Sequence, residues 1–598
     1  MNIYCMNKVL LCLFIWTLSV NNAVSQFVAE KYPLIEYDEL IVQSDTVDYK
    51  QWDKIQAETL LTWGSIDIRY PKHNITDYKE SNVMRLRAWR GERINAQAVI
   101  YTTKELKNVV VNKHSLNHRR NVIPESSIRS SFVRYVMTDE LNKDGSGGCG
   151  HRENKTEWDS LLVADALDIV DKIDVKAYSV QPVWFTIDIP ENIPHGKYTG
   201  TITVNGSNFK QMSLSIEVEV IDRTLKKSSE WDFCLDLWQN PYSVARYYQV
   251  PLWSKEHFDA MRPLMKMLAN AGQKFITASI MHKPWNGQTE DHYDSMVTKV
   301  KKIDGTWEYK YSVFDRWVEF MLNDVGINGM ISCYTLIPWN LSFDYYDEAT
   351  NRLQFLKASP GDLEYSEDWI PFLKDFAAHL REKDWFERTM ISMDERALED
   401  MVKAIEVIRN ADSDFKIGLA GNYHKEIEQQ LYFLCVPYEH SIPEDVRSNR
   451  RMEDKITTVY TCCTESFPNM FTFSLPYESA WTAIYSLAND FDGYLRWAVN
   501  SWPQDPLRDS RFRTWAAGDT YSIYPGPRSS IRFERLVEGI QACEKIKHLK
   551  ELFIQNGNNR KIAELDKLLS RFTPEGLKES GKTPDKVLND LYVFLNSK

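Results

Sequence analysis

The chain has 598 residues, a length that predicts roughly two to four domains, since one domain commonly takes about 100–200 residues. Its formal net charge is −12 and its pI is about 5.6. An acidic balance of this size argues against a nucleic-acid partner, because phosphate binding requires clustered Lys and Arg.

The N-terminus has the features of a secretory signal peptide. Lys8 precedes a mostly apolar run at residues 9–20, which is too short to span a bilayer. Small residues at Ala23 and Ser25 provide the last positions of a cleavage site, so we expect residues 1–25 to be removed. The protein is therefore expected to be secreted across the inner membrane, to the periplasm, the cell surface or the medium. No later apolar run predicts a membrane span.

The cysteines after the signal peptide do not form a recognisable motif. They are Cys149, Cys234, Cys333, Cys435, Cys462, Cys463 and Cys543. None of them shows C-x-x-C spacing, so neither a zinc site nor a redox motif is indicated. We expect buried free thiols that pack as small apolar side chains, with a single disulfide bond as the alternative in an oxidising compartment.

Residues 26–225 have a strand-like pattern. Apolar and polar residues alternate at 214–220, as in a half-buried strand, and residues 183–189 and 198–204 are two more candidates on either side of a Pro-Gly turn. The pattern predicts an N-terminal β-sandwich domain. The glycine-rich segment at 145–150 lacks the adjoining strand and helix of a phosphate-binding loop, so it is interpreted as a surface loop.

Residues 226–545 change to short apolar runs that alternate with helical stretches. The candidate strands are 233–238, 275–280, 330–335, 389–393, 416–420, 432–436, 457–462 and 493–497. Amphipathic helices are predicted at 369–383 and 396–411. Strands that alternate with helices form parallel sheets, and eight such units predict a (β/α)8 TIM-like barrel. The charged pattern of residues 546–598 predicts a short C-terminal helical tail.

Two adjacent carboxylates, Asp394 and Glu395, follow the fourth predicted barrel strand. Barrel enzymes carry their functional residues at the C-terminal ends of the strands, which selects this pair. Adjacent strand residues point to opposite faces, so they do not readily flank a glycosidic bond as the usual pair of glycosidase carboxylates does. They suit a reaction in which the 2-acetamido oxygen of the substrate attacks the anomeric carbon. The alternative is a helix N-terminus, where acidic residues are also favoured.

Aromatic and polar residues follow several other predicted strands. The candidates for substrate binding are His282, Trp285, Trp339, Tyr423, Trp497, Asn500, Trp502 and Asp519. Aromatic rings have flat apolar faces, which suit the C–H faces of sugar rings. Each of these residues taken singly is also compatible with a position in the core, and their grouping at one rim is what favours binding.

Residues 231–543 resemble glycoside hydrolase family 123, which overlaps the domain family DUF4091. The matching segments are Leu-Asp-Leu-Trp-Gln-Asn-Pro at 235–241, Pro-Trp-Asn-Gly-Gln-Thr at 284–289, Ser-Met-Asp-Glu-Arg at 392–396, Asp-Gly-Tyr-Leu-Arg-Trp at 492–497 and Ala-Gly-Asp-Thr at 517–520. The resemblance implies a β-sandwich followed by a (β/α)8 barrel, and exo-acting, retaining β-N-acetylgalactosaminidase activity. It also implies that Asp394 orients the acetamido group and that Glu395 is the acid/base.

Two alternatives to this function remain open. The first is the same mechanism on β-linked N-acetylglucosamine, which differs at the C4 hydroxyl; Asp519 and Asn500 are candidates for that contact. The second is a non-catalytic carbohydrate-binding protein, which has no need of Glu395 beside a second carboxylate. The expected partner is a glycan or glycoconjugate with a terminal N-acetylhexosamine. No cofactor is implied, because acid–base groups and the substrate's own amide suffice, and the sequence does not indicate an oligomeric state.

Overall fold

The computed structural model describes residues 37–42, 46–76, 78–140 and 158–597. The predicted signal peptide and the glycine-rich segment at 145–150 lie outside these ranges. Within them, no helix is long and apolar enough to cross a membrane.

Two sheets make up the N-terminal part of the described chain. Its elements are α1 (Tyr49–Trp52), β1 (Thr59–Gly64), β2 (Val83–Arg90), β3 (Arg93–Thr102), β4 (Leu106–Lys113), β5 (Leu116–His118), β6 (Asn121–Ile123), β7 (Ile128–Thr138), β8 (Leu161–Asp168), β9 (Lys172–Val175), β10 (Ser179–Asp188), β11 (Gly196–Asn205) and β12 (Met212–Thr224). One sheet has the order β1-β3-β10-β7-β8, and the other has the order β2-β12-β11-β4-β9 with β5 and β6 attached.

The two sheets share one hydrophobic core. Leu214, Ile216 and Val218 of β12 are buried and the residues between them are half-buried, which is the alternation predicted from the sequence. Their side chains belong to the same cluster as Ile100 of β3 and Phe185 of β10. The strands predicted in this region are confirmed as β10, β11 and β12, and the N-terminal domain is rich in sheet as expected.

A parallel barrel follows the two sheets. Its region contains β13 (Cys234–Leu237), α2 (Pro241–Tyr248), α3 (Lys255–Asn270), β14 (Phe275–Ser279), β15 (Thr298–Lys301), β16 (Trp307–Lys310), α4 (Ser312–Glu319), β17 (Met330–Tyr334), β18 (Ser342–Asp347), β19 (Arg352–Lys357), α5 (Leu363–Glu382), β20 (Thr389–Asp394), α6 (Leu398–Ala411), β21 (Lys416–Ala420), β22 (Phe433–Pro437), α7 (Glu444–Met452), β23 (Ile456–Tyr460), α8 (Pro476–Ala488) and β24 (Gly493–Arg496). All eight predicted barrel strands form, in the order β13-β24-β23-β22-β21-β20-β17-β14. The edge strands meet through one bridge between Leu235 and Gln273, so the barrel is nearly closed.

Four additional strands form a small sheet that the sequence did not predict. The hairpins β15–β16 and β18–β19 lie in the segments that follow barrel strands β14 and β17, and β15 pairs with β18. These segments leave the C-terminal ends of the barrel strands, so the small sheet stands beside the end of the barrel where catalytic residues are expected. We call it the inserted sheet.

The C-terminal region is helical, as predicted. It contains β25 (Ser529–Ser530), α9 (Ile531–Gln555), α10 (Asn559–Leu569), α11 (Pro574–Ser580) and α12 (Pro584–Leu595). Arg532 of α9 forms a buried ion pair with Asp165 of β8 at 3.0 Å. Arg528, just before β25, pairs with Asp168 of the same strand at 2.7 Å. These pairs join the C-terminal region to the N-terminal sheets, and the domain boundaries at residues 225 and 545 stay predictions.

Candidate active site

A cavity of about 420 Å³ opens at the C-terminal ends of the barrel strands. Its wall includes six of the ten predicted site residues, namely Trp285, Trp339, Asp394, Glu395, Trp497 and Asp519. Asp394 is the last residue of β20, and Trp497 directly follows β24. Parallel strands bring their C-terminal ends to a single rim, which explains why residues so distant in sequence meet here.

The two carboxylate oxygens of Asp394 have different environments. Trp339 Nε1 donates to Oδ2 at 2.9 Å. Oδ1 lies 3.6 Å from Arg396 Nη2 and accepts no hydrogen bond from another described residue. Burial raises the pKa of Asp394 to about 6, and the nearby Arg396 and Trp339 act in the opposite direction. One oxygen is therefore held in place while the other remains available to a ligand.

Glu395 is exposed, unlike its neighbour, and lines the cavity. The Tyr460 hydroxyl donates to its Oε1. Its backbone carbonyl accepts from Arg396 Nη1 at 2.7 Å. Asp394 ends β20, Glu395 directly follows it, and helix α6 begins only at Leu398, so the alternative of a helix N-terminus does not describe the two carboxylates.

Arg396 connects the two carboxylates to the loop that follows β17. Its Nε donates to the Ile337 carbonyl at 3.0 Å. Its guanidinium carbon lies 3.9 Å from the centroid of the Trp339 ring, a cation–π contact. Through these contacts Arg396 holds Trp339 over the buried carboxylate of Asp394.

Asp519 of the cavity wall belongs to a buried charge pair. Arg496 Nη2 donates to Asp519 Oδ1 at 2.5 Å, and both side chains are almost fully buried. Arg496 Nη1 also donates at 2.8 Å to Oδ1 of Asn469, which lies in the loop after β23. This bond fixes the position of the guanidinium. Burial raises the pKa of Asp519 to about 6, although Arg496 works against this shift. The pair places a rigid polar group beside the aromatic part of the cavity.

Four further tryptophans, Trp238, Trp285, Trp497 and Trp515, line the cavity. The ring centroids of Trp238 and Trp285 are 4.9 Å apart, and Trp238 lies 4.5 Å from Tyr334. On the other side, Trp497 and Trp515 meet edge to face at 5.7 Å. Packed rings of this kind are rigid apolar surfaces, which suits the binding of a ring-shaped ligand.

Asp236 lies in the barrel strand that leads to Trp238. The side chain is fully buried, and this burial raises its pKa to about 8. Burial therefore favours the neutral carboxyl. Ionisation of Asp236 would raise the pKa of Tyr334, which packs against Trp238.

The structure does not bring Asn500 or Trp502 to the cavity. Both side chains are fully buried. Asn500 Nδ2 donates to the Asn240 carbonyl at 2.8 Å, and Trp502 Nε1 donates to the Ile523 carbonyl at 2.8 Å. These bonds connect backbone segments at the end of the barrel, so both residues have structural roles here.

His282 and Tyr423 also lie outside the cavity wall. His282 Nδ1 is 2.9 Å from Asp294 Oδ1, and its backbone N–H donates to Asp344 of the inserted sheet. The backbone N–H of Tyr423 donates to His440 Nε2 at 3.3 Å. His282 thus faces the inserted sheet and not the catalytic carboxylates.

Several lining residues were missed from the sequence. Trp238 directly follows β13 and Tyr460 ends β23, so the rule that selected Asp394 applied to both of them. Trp515 and Gln288 lie in long loops and are joined by a bond from the Trp515 indole to the Gln288 carbonyl at 2.9 Å. No periodic signal in the sequence marks such loop residues.

The cysteines only partly follow the expectation. Cys333, Cys435 and Cys543 are buried free thiols. Cys463, which lines the cavity, is disulfide-bonded, so the expectation of free thiols is wrong there. Its neighbour Cys462 is free, and burial raises the pKa of its thiol to about 12. Among the described residues, no three His, Cys, Asp or Glu side chains are grouped as ligands for a metal ion.

Comparison with known proteins identifies the family. The glycoside hydrolase 123 catalytic domain matches residues 238–549, and the glycoside hydrolase 123 N-terminal domain matches residues 63–206. A family 123 glycoside hydrolase from Clostridium perfringens, whose structure was analysed for glycolipid glycan hydrolysis, is 28% identical. The match covers 90% of this chain and 98% of that chain, with a TM-score of 0.80.

More distant comparisons add nothing to the site. A Bacteroides ovatus GH5 xyloglucanase in complex with a XXXG heptasaccharide is 10% identical over 80% of this chain and all of its own, with a TM-score of only 0.28. A search of curated proteins finds no match. Because the family 123 catalytic domain covers more than half of the chain and the carboxylates lie together at the cavity, this chain belongs to glycoside hydrolase family 123 and is a glycoside hydrolase.

Proposed function

We propose that this enzyme removes a terminal β-linked N-acetylgalactosamine from glycans by exo-acting, retaining, substrate-assisted hydrolysis. The observation that carries the proposal is the difference between the two adjacent carboxylates. Asp394 is buried, with one oxygen held by Trp339 and the other available. Glu395 is exposed and faces the same cavity.

In the first step, the acetamido oxygen of the substrate attacks the anomeric carbon and the glycosidic bond breaks. Asp394 Oδ1 accepts the acetamido N–H, and its negative charge stabilises the positive charge that develops on the oxazolinium ring. Glu395 donates its proton to the leaving oxygen, so the aglycone departs as a neutral alcohol.

In the second step, Glu395 acts as a base and takes a proton from water. The resulting oxygen attacks the anomeric carbon from the face that the aglycone left, and the oxazolinium ring opens to restore the acetamido group. Two inversions give overall retention of configuration. The Tyr460 hydroxyl, which donates to Glu395 Oε1, holds the acid/base through both steps.

The cavity supports recognition of a single terminal sugar. Its volume of about 420 Å³ lies near the lower end of small-ligand sites. The rings of Trp238 and Trp285 offer apolar faces, and the pair of Arg496 and Asp519 offers a fixed polar group for hydroxyls. We assign the choice between N-acetylgalactosamine and N-acetylglucosamine to Asp519, because it lines the cavity, unlike the other candidate Asn500, and its Oδ2 accepts no hydrogen bond from a described residue.

Two sets of observations support the proposed substrate class and location of the enzyme. The Clostridium perfringens relative was analysed for glycolipid glycan hydrolysis, which supports a glycolipid glycan as the substrate here. The predicted signal peptide and the disulfide bond of Cys463 support a secreted enzyme, because disulfide bonds persist in oxidising compartments. The mechanism requires no cofactor.

The first test compares chromogenic β-N-acetylgalactosaminide and β-N-acetylglucosaminide substrates. We expect wild type to prefer the former, and Glu395→Gln and Asp394→Asn to lose about 100-fold or more in kcat. Glu399→Gln, an exposed acid in the first turn of α6, is the control and should keep its activity. Preference for the glucosaminide would reassign the sugar, and no cleavage of either substrate would contradict the proposal.

The second test addresses the nucleophile. Replacing the acetamido group of the substrate with a trifluoroacetamido group makes its oxygen a poorer nucleophile. The substrate-assisted mechanism then predicts a fall in kcat/KM of at least tenfold, with retention of configuration seen by NMR of the first product. An unchanged rate would indicate that a protein carboxylate attacks the anomeric carbon instead.

A further inference from the structure

The hairpin β18–β19 of the inserted sheet has one covered face and one open face. Phe343 of β18 packs on Trp369 of α5 at 5.4 Å, and Lys299 of β15 pairs with Asp368 of the same helix at 2.9 Å. These contacts cover the face that carries Phe343. Side chains alternate along a strand. The side chains of Asp344 and Tyr346 therefore point away from α5.

Register identifies the residues on the open face. Phe355 pairs with Asp344, and Leu353 pairs with Tyr346, so these four side chains share one face. Phe355 is 46% exposed and Leu353 is 55% exposed, so two large apolar side chains lie open to solvent on this face. Exposed apolar groups that cluster in this way are typical of a binding surface.

The open face is continuous with the catalytic cavity. Trp339, which donates to Asp394, is itself 50% exposed, and its backbone N–H donates to the Pro284 carbonyl at 3.2 Å. Two residues before this proline, His282 donates its backbone N–H to Asp344 at 2.9 Å, and its ring lies 5.8 Å from Phe355. A path of direct contacts thus leads from the buried carboxylate to the inserted sheet.

We propose that this open face, made of His282, Asp344, Tyr346, Leu353 and Phe355, binds the sugars of the leaving oligosaccharide; we call it the aglycone face. The assignment rests on the proposed function. Residues two apart on a strand are separated by about 7 Å, so with Trp339 the face has room for roughly two or three sugar units.

The chemistry of the aglycone face favours sugars over an acyl chain. The ring of Phe355 offers an apolar surface to sugar C–H groups, while Asp344, His282 and Tyr346 carry polar atoms that match hydroxyl groups. An acyl chain laid across the same residues would remove the Asp344 carboxylate from water and give it no hydrogen-bond donor beyond the His282 backbone N–H, which is costly. His282, predicted to contact substrate but absent from the cavity wall, acquires a role here.

The test uses Phe355→Ala with three substrates: an aryl β-N-acetylgalactosaminide, a free tetrasaccharide that ends in β-linked N-acetylgalactosamine, and the same tetrasaccharide on a lipid. We expect kcat/KM to fall about tenfold for both tetrasaccharides, because a stacking surface is lost, and to stay within about twofold for the aryl glycoside. Phe355→Tyr keeps the ring and should restore the rate. Ile303→Ala, an exposed apolar residue in the other hairpin of the inserted sheet, is the control.

Each other outcome refutes the assignment in a different way. An equal loss on the aryl glycoside would mean that Phe355 only supports the fold of the site. An unchanged rate on all three substrates would mean that the aglycone lies elsewhere. A loss confined to the lipid-linked substrate would identify an acyl chain as the occupant. If wild type cleaves none of the substrates, the proposed function itself fails, and the aglycone face fails with it.

Discussion

The hydrogen bond from Trp339 to Asp394 predicts a measurable pH effect. If Asp394 must be ionised to accept the acetamido N–H, activity is lost as the pH falls through its pKa of about 6. Trp339 donates to the charged form at 2.9 Å and thereby lowers that pKa. Trp339→Phe removes the donor and keeps an aromatic ring beneath Arg396, so we expect the pKa of Asp394 to rise further.

The size of this effect follows from the strength of the bond. Hydrogen bonds to charged groups are worth about 1.5–3 kcal/mol, and one pKa unit corresponds to about 1.36 kcal/mol. Trp339 is 50% exposed, so water partly replaces the lost donor, and the lower end applies. We therefore expect the acid limb of the kcat/KM profile to move up by about one pH unit, with about tenfold lower activity below pH 6 and little change at pH 8.

The assay is the pH dependence of kcat/KM on the chromogenic galactosaminide. Trp285→Phe provides the matched control, because Trp285 lines the same cavity but its indole nitrogen has no hydrogen-bond partner among the described residues. The acid limb of the Trp285→Phe profile should stay near pH 6. The reasoning is refuted if Trp339→Phe leaves the acid limb in place, or if both variants move it equally.

Three other substitutions give separate predictions. Tyr460→Phe removes the donor to Glu395 and should lower kcat about tenfold with little change in KM, measured with aryl glycosides; an unchanged kcat would contradict a positioning role. Asp519→Asn should raise KM for the galactosaminide about tenfold and reduce the preference over the glucosaminide, and an unaltered preference would remove Asp519 from sugar recognition. Asp236 has a pKa of about 8 when folded and 3.8 as its ordinary value, so the folded state retains a proton that the unfolded state releases between these limits. The free energy of unfolding should therefore fall by up to about 1.4 kcal/mol per pH unit as the pH rises from 4 to 8. Urea unfolding at several pH values should show a weaker fall for Asp236→Asn than for wild type. Equal pH dependence of the two proteins would contradict the raised pKa of Asp236.

The barrel was predictable because its strands have a strong local signal. Residues 389–393 include the apolar Met390, Ile391 and Met393 and end at two carboxylates, and the structure places this run inside the buried strand β20. The inserted sheet was not predictable in the same way. Strand β19 alternates polar and apolar residues over only four positions, 352–355, which is too short a run to separate a strand from a loop.

The predictions for loop residues had mixed outcomes, because Trp285, Trp339 and Asp519 line the cavity while Asn500 and Trp502 do not. Trp497 directly follows β24 and lines the cavity, whereas Asn500 and Trp502, three and five residues further on, turn into the protein and bond to backbone. A few residues of loop are enough to reverse the direction of a side chain. The direction depends on tertiary contacts such as the bond from Asn500 to Asn240, which no local pattern contains.

The buried ion pairs between the C-terminal region and strand β8 affect whether the barrel is stable without the N-terminal sheets. The side chains of Arg528 and Arg532 are buried, and their carboxylate partners are Asp168 and Asp165. A truncated protein without the N-terminal sheets would leave two guanidinium groups unpaired in an apolar setting. We therefore expect the catalytic barrel to lose stability when it is expressed without the N-terminal sheets, and the two parts to unfold together.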